Sequence, residues 1–228
     1  MKPPIIVALD TTTAEEAVRL ARLVADHVAG FKVGLGLLHG PGPGVVGAVA
    51  RIGPVFADAK LHDIPSQVER AARRLGEYGA RWVSAHAAGG TEMLEAAAAG
   101  VSAGARGAPA GVLAITVLTS LDEPATAAAF GRSPGELVAR LARLAAQAGA
   151  EGVVCSPREL GVVAEVAPGV IRVTPGIRPD GEASDDQRRV ASPREALERG
   201  ADYLVVGRPI TAAGDPAAAA RSLAEALS

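Results

Sequence analysis

Short runs of aliphatic and β-branched residues alternate along the chain with longer stretches in which apolar positions recur every three or four residues. The short runs read as strands: IIVALD at 5–10, FKVG at 31–34, VFADAK at 55–60, WVSAH at 82–86, GVLAITVL at 111–118, GVVCS at 152–156, VIRVTPG at 170–176 and YLVVG at 203–207. The Ala/Leu/Glu/Arg-rich segments between them, such as 14–28, 68–78, 134–148 and 216–227, read as amphipathic helices. Helix starts carry side-chain oxygens able to accept a free amide: Thr12 or Thr13, Ser133 before Pro134, and Ser192 before Pro193. Gly79, Gly149 and Gly200 follow three of the helices and suit the left-handed residue that closes a helix end. Eight strand–helix units predict one α/β domain over 1–228, a (β/α)8 TIM barrel with all strands parallel. A doubly wound open sheet is the competing arrangement. It loses support because no Gly-x-Gly-x-x-Gly follows the first strand and no Gly-Lys-Ser/Thr phosphate loop occurs.

Composition narrows the classes of function. With 228 residues and 49% hydrophobic content the chain can bury one substantial core. Aromatics are only 3%, which predicts a core of Val, Leu, Ile and Ala with close helix contacts at the alanines. A net charge of −2 with scattered Lys and Arg gives no footprint for a nucleic acid polymer. Cys155 is the only cysteine, so an internal disulfide and a multi-cysteine metal site are excluded and a reducing compartment fits. The start, MKPPIIVALD, lacks the apolar segment of a signal peptide, and no run reaches membrane-spanning length; a cytoplasmic protein without membrane contact is expected. His27, His39, His62 and His86 form no helical i, i+4 pair, so each reads as structural and no metal site is predicted.

The chemistry concentrates at the ends of the predicted strands, the face where barrels of this kind keep their sites. In VFADAKLHDIP at 55–65, strand alternation places Phe56, Asp58 and Lys60 on one face and Val55, Ala57, Ala59 and Leu61 on the other. Asp58 and Lys60 taken alone could be a salt pair on a solvated edge. Asp10 ends the first strand, Lys32 lies on the second, Asp63 follows the third, and Thr119 with Ser120 ends the fifth. Each has a plain alternative role as cap or rim residue; their convergence points to a site. The last two strands end in TPGIRP at 174–179 and VVGRPIT at 205–211, where Gly176 and Gly207 allow close backbone approach and Arg178 and Arg208 can grip phosphate oxygens. The polar stretch at 178–189 is long enough for a lid, with Gln187 near its far end able to reach the same phosphate.

Taken together, LD at 9–10, FKVG at 31–34, DAKLHDIP at 58–65, LTS at 118–120, TPGIRP at 174–179 and VGRPIT at 206–211 closely resemble the orotidine 5′-phosphate decarboxylases, nearly end to end in order and spacing. DxKxxD alone also resembles metal-dependent sugar-phosphate decarboxylases or aldolases of the wider superfamily. The resemblance implies conversion of orotidine 5′-monophosphate to UMP and carbon dioxide without metal or cofactor. It implies that Lys60 protonates C6 of the pyrimidine, that Asp58 sits against the departing carboxylate, and that Lys32 holds the charge array and the ribose. It further implies substrate contacts at Asp10, Ile64, Gln67, Thr119, Ser120, Pro175, Arg178, Gln187, Gly207 and Arg208. Asp63 would reach into the neighbouring subunit's site, so a homodimer with shared sites is expected. One position departs from the family pattern: Gln67 stands where DIPNT-type sequences have threonine.

Overall fold

A computed structural model describes residues 2–178 and 191–227. In chain order the elements are β1 (Ile5–Ala8), α1 (Ala14–Val24), β2 (Gly30–Val33), α2 (Leu35–His39), α3 (Gly44–Ala50), β3 (Val55–Leu61), α4 (Pro65–Glu77), β4 (Trp82–His86), α5 (Thr91–Ala105), β5 (Gly111–Ile115), α6 (Glu123–Phe130), α7 (Pro134–Gln147), β6 (Gly152–Val154), α8 (Leu160–Val166), β7 (Ile171–Thr174), α9 (Pro193–Glu198), β8 (Tyr203–Val206), α10 (Arg208–Thr211) and α11 (Pro216–Ala226). The eight strands pair in sequence order, all parallel, and β8 returns to β1 through Ile5↔Leu204, so the sheet closes. The barrel expected from the eight runs is therefore the observed fold, and the open sheet is excluded.

Most strands end one to three residues earlier than the apolar runs suggest. The surplus residues, Leu9 and Asp10, Thr116 to Leu118, and Cys155 and Ser156, lie past the last paired strand residues, where the Leu9, Thr116 and Cys155 amides make the final bonds to the neighbouring strands. They form the upper face, where the chain turns away from its neighbours. The caps fall where the hydroxyls predicted them. Thr13, not Thr12, accepts from the Glu16 amide, while Ser133 and Ser192 each form a reciprocal capping box with Glu136 and Glu195. Gly79, Gly149 and Gly200 adopt φ of +90°, +71° and +94°. In each case the next amide reaches back five residues, as in Ala80 N–H to the Leu75 carbonyl, closing the helix end.

The core has two layers, separated by strand alternation. Outward-facing Val7, Val33, Val55, Ala57, Val83 and Val153 meet the helices, whereas Ile6, Ala8, Phe56, Trp82, Leu113, Val173 and Val205 fill the barrel axis. The expectation of a purely aliphatic core is corrected here. Phe56, Trp82 and Tyr203 are placed where one large side chain fills a narrow interior, Trp82 lying edge-on to Tyr203 with centroids 5.3 Å apart. Below them, Arg81 makes a paired salt bridge to Glu151 and stacks 4.6 Å over the Trp82 ring. Glycines also bring helices close together. Glycines of α5 meet the backbone of α4: a Cβ at Gly100 would stand 2.3 Å from the Glu69 carbonyl oxygen, and one at Gly104 2.1 Å from that of Arg73. Among the described residues no helix is long and apolar enough to cross a membrane.

Candidate active site

The strand ends open into a cavity of ≈ 530 Å³ at the upper face. Its apolar floor is Ala8, Phe56, Ile115, Val117, Val154 and Val205, and its polar wall carries Asp10, Lys32, Asp58, Lys60, Thr119, Pro175, Gly176, Arg178, Gly207, Arg208 and Thr211. Nine of the residues expected from sequence are thus brought together: Asp10, Lys32, Asp58, Lys60, Thr119, Pro175, Arg178, Gly207 and Arg208.

On one side of the cavity the charges alternate. Lys32 Nζ is 3.2 Å from Asp10 Oδ1 and 3.8 Å from Asp58 Oδ2, and Lys60 Nζ is 2.6 Å from that same Asp58 oxygen. Register explains the first half: Ala8 pairs with Lys32 and Lys32 with Phe56, so β1, β2 and β3 present Asp10, Lys32 and Asp58 side by side. Gly34 keeps this corner open, because a Cβ there would stand 3.0 Å from Lys32 Nζ. Asp58 is buried while Asp10 is exposed. The inner pairs are therefore screened least and carry the electrostatics of the array.

Lys60 does not follow from alternation alone. Between Ala57↔Val83 and Leu61↔Ala85, β3 advances four residues while β4 advances two. The surplus is taken up in a bulge whose residue Lys60 has φ +49°. A left-handed lysine costs about 1–2 kcal/mol, and such strain persists only where neighbours enforce it. Here the Lys60 N–H donates to Ser84 Oγ at 2.8 Å, and Ser84 Oγ donates to Asp58 Oδ1 at 2.9 Å.

Four of the expected residues do not line this cavity. Asp63 is exposed and its carboxylate accepts from the Ile64 amide at 2.6 Å, at the start of α4. Ile64 is 62% exposed and Gln67 lies on the outward first turn of α4, because this helix leaves the rim directly after Ile64. Ser120 sits in the exposed turn between β5 and α6. Gln187 and the candidate lid beyond Arg178 fall outside the described residues. On either side of that segment the chain is joined by an Ile177↔Ala191 bridge and by Arg178 N–H to the Ala191 carbonyl.

Sequence reading missed Ser84 and the meeting of two histidines. His62 and His86 are far apart in sequence, yet β3 and β4 are neighbours and the rings lie 5.3 Å apart. Alternation in WVSAH would have placed Trp82, Ser84 and His86 on the inward face, and a serine there is a polar residue in need of a partner. Burial pushes the His86 imidazole below its ordinary value of 6.5, the nearby His62 and Lys60 act the same way, and Asp58 opposes them. The folded state thus binds this proton less readily than the unfolded chain. The stability His86 contributes is present above pH 6.5 and is lost as pH falls below it. Thermal midpoints followed from neutral pH to about pH 5 are expected to drop more steeply in the native sequence than in His86→Asn.

Comparison with known proteins adds an independent line. Residues 3–223 match the family model for the orotidine 5′-phosphate decarboxylase / HUMPS family. The chain is 53% identical over 232 residues to orotidine 5′-phosphate decarboxylase from Anaeromyxobacter sp. (strain K), all of both chains being covered. It is 50% identical to that from Thermobifida fusca (strain YX), covering all of this chain and 97% of the relative. The crystal structure of orotidine 5′-phosphate decarboxylase from Lactobacillus acidophilus superposes with a TM-score of 0.84 at 33% identity, covering 98% of each chain.

Proposed function

The chain belongs to the orotidine 5′-phosphate decarboxylase / HUMPS family, and from that premise we propose that it is a carboxy-lyase converting orotidine 5′-monophosphate to UMP and carbon dioxide. The observation that carries this reading is the alternating Asp10–Lys32–Asp58–Lys60 array sharing one cavity with Arg178 and Arg208. When the bond from C6 to the carboxylate breaks, its electron pair stays in an sp² orbital at C6, out of conjugation with the ring. Resonance gives little relief, so fixed charge must supply it. An ammonium about 4 Å away contributes roughly 4 kcal/mol at an effective dielectric near 20. Lys60 is placed for this, then forms the new C6–H bond by giving up a proton that solvent later restores. In this reading no metal or cofactor takes part.

Asp58 holds Lys60 charged and aimed, and Lys32 links it to Asp10 on the ribose side. Thr119 and Pro175 border the pyrimidine, while Arg178, Gly207 and Arg208 take the phosphate. Asp63 projects from the rim rather than into its own cavity, which supports a homodimer in which it completes the neighbouring site. The experiment is the fall in ultraviolet absorbance as purified protein consumes orotidine 5′-monophosphate, run with and without chelator. No turnover sinks the reading. Activity that vanishes with EDTA and returns with magnesium would move the chain to a metal-dependent sugar-phosphate chemistry instead.

Binding a remote phosphate lowers the barrier only if its energy is used at the reacting carbon. Arg208→Ala is therefore expected to lower kcat/KM by roughly 100-fold or more, although it touches no bond being broken. Unchanged efficiency in that variant would remove the phosphate assignment.

A further inference from the structure

We propose that Ser84 is a positioning residue for the reaction, acting through Asp58 and Lys60 and never on substrate; the inference rests on the decarboxylase reading of the site. Ser84 is fully buried on β4 and does not line the cavity. Its hydroxyl has one proton, and the direction of each bond is fixed by its neighbours. The Lys60 amide can only donate, so Ser84 Oγ accepts there and directs its own proton to Asp58 Oδ1.

Two consequences follow from this single oxygen. Asp58 Oδ1 is tied to the barrel wall, which leaves Oδ2 to face both ammonium groups, at 2.6 Å for Lys60 and 3.8 Å for Lys32. The bulge is pinned at the residue whose φ is +49°, so the Lys60 side chain leaves the strand toward Asp58 instead of continuing the ladder. Ser84 occupies the place where two surplus residues of β3 have no ladder partner on β4. Removing its oxygen would leave the Lys60 amide without an acceptor and free the Asp58 carboxylate to turn.

The test compares Ser84→Ala with the isosteric pair Ser84→Thr and Ser84→Val, since threonine keeps the oxygen and valine replaces it with a methyl group. Turnover of orotidine 5′-monophosphate is measured beside UMP affinity by calorimetry and the thermal midpoint. Misplacing a reacting group by a fraction of its contact distance costs about 100-fold, and that loss is expected in kcat for alanine and valine, with UMP affinity unchanged and threonine retaining most of the rate. The proposal is overturned if alanine turns over like the native protein, if threonine and valine lose rate equally, or if UMP affinity falls in step with kcat. Should no variant fold, hydrogen exchange of the Lys60 amide in the native protein decides: slow exchange supports the bond to Ser84, and exchange as fast as in an open loop removes it. Absence of turnover in the native protein would instead overturn the decarboxylase reading.

Discussion

Lys60→Ala is expected to abolish orotidylate turnover, by about 10⁴-fold or more, while the protein stays folded. Both roles assigned to this side chain, stabilising the pair at C6 and protonating it, depend on the one ammonium group. Its removal does not strand the buried Asp58. That carboxylate keeps Lys32 at 3.8 Å and the Ser84 hydroxyl at 2.9 Å, so the unpaired-charge penalty that usually follows truncation of a buried pair is softened. A companion variant separates strain from chemistry. Glycine adopts φ +49° without penalty, so Lys60→Gly should melt higher than Lys60→Ala by the equivalent of about 1 kcal/mol, with both inactive. Measurable turnover in either would mean that the proton comes from another group, and equal melting would mean that the left-handed turn is not strained.

Asp58→Asn is expected to lower kcat by about 10³-fold with UMP affinity nearly unchanged. The amide keeps the shape and the bond from Ser84 but withdraws the charge that holds Lys60 at 2.6 Å. Lys32 retains Asp10 at 3.2 Å, so only one of the two ammonium groups loses its principal partner. This variant also separates two accounts of Asp58. If the carboxylate acts by repelling the substrate's own carboxylate, the neutral variant should bind orotidine 5′-monophosphate more tightly as its rate falls. If it acts by aiming Lys60, substrate affinity should stay level. The geometry favours the second account, because Asp58 is engaged by Lys60, Lys32 and Ser84 at once.

The fold was legible because the signals are local and repeated. Each strand is a short aliphatic run, each cap a hydroxyl or glycine beside a periodic stretch, and eight such units leave few closures. The site was legible where a charged residue stands in an apolar strand end, as Asp58 and Lys60 do, or where glycine and arginine recur at consecutive strand ends, as in 174–179 and 205–211. It was not legible where the partner lies on another strand. Ser84 looks like a filler residue until β4 is laid beside the bulge in β3, and His62 and His86 meet only because those strands are neighbours. Nor do Ser120, Ile64, Gln67 and Asp63 reveal their direction in sequence: they sit inside matching motifs, yet the chain has already turned outward from this cavity at those positions.

By itself, then, the sequence determined the barrel, the face on which its chemistry collects and the kinds of group found there, because periodicity and capping act over a few residues. Only the tertiary structure decided which oxygen of Asp58 meets Lys60, that the lysine is held in a left-handed turn, and which rim residues face away from the cavity. Those facts depend on register between strands distant in sequence, and a shift of one or two residues in that register redirects a side chain without changing any local pattern.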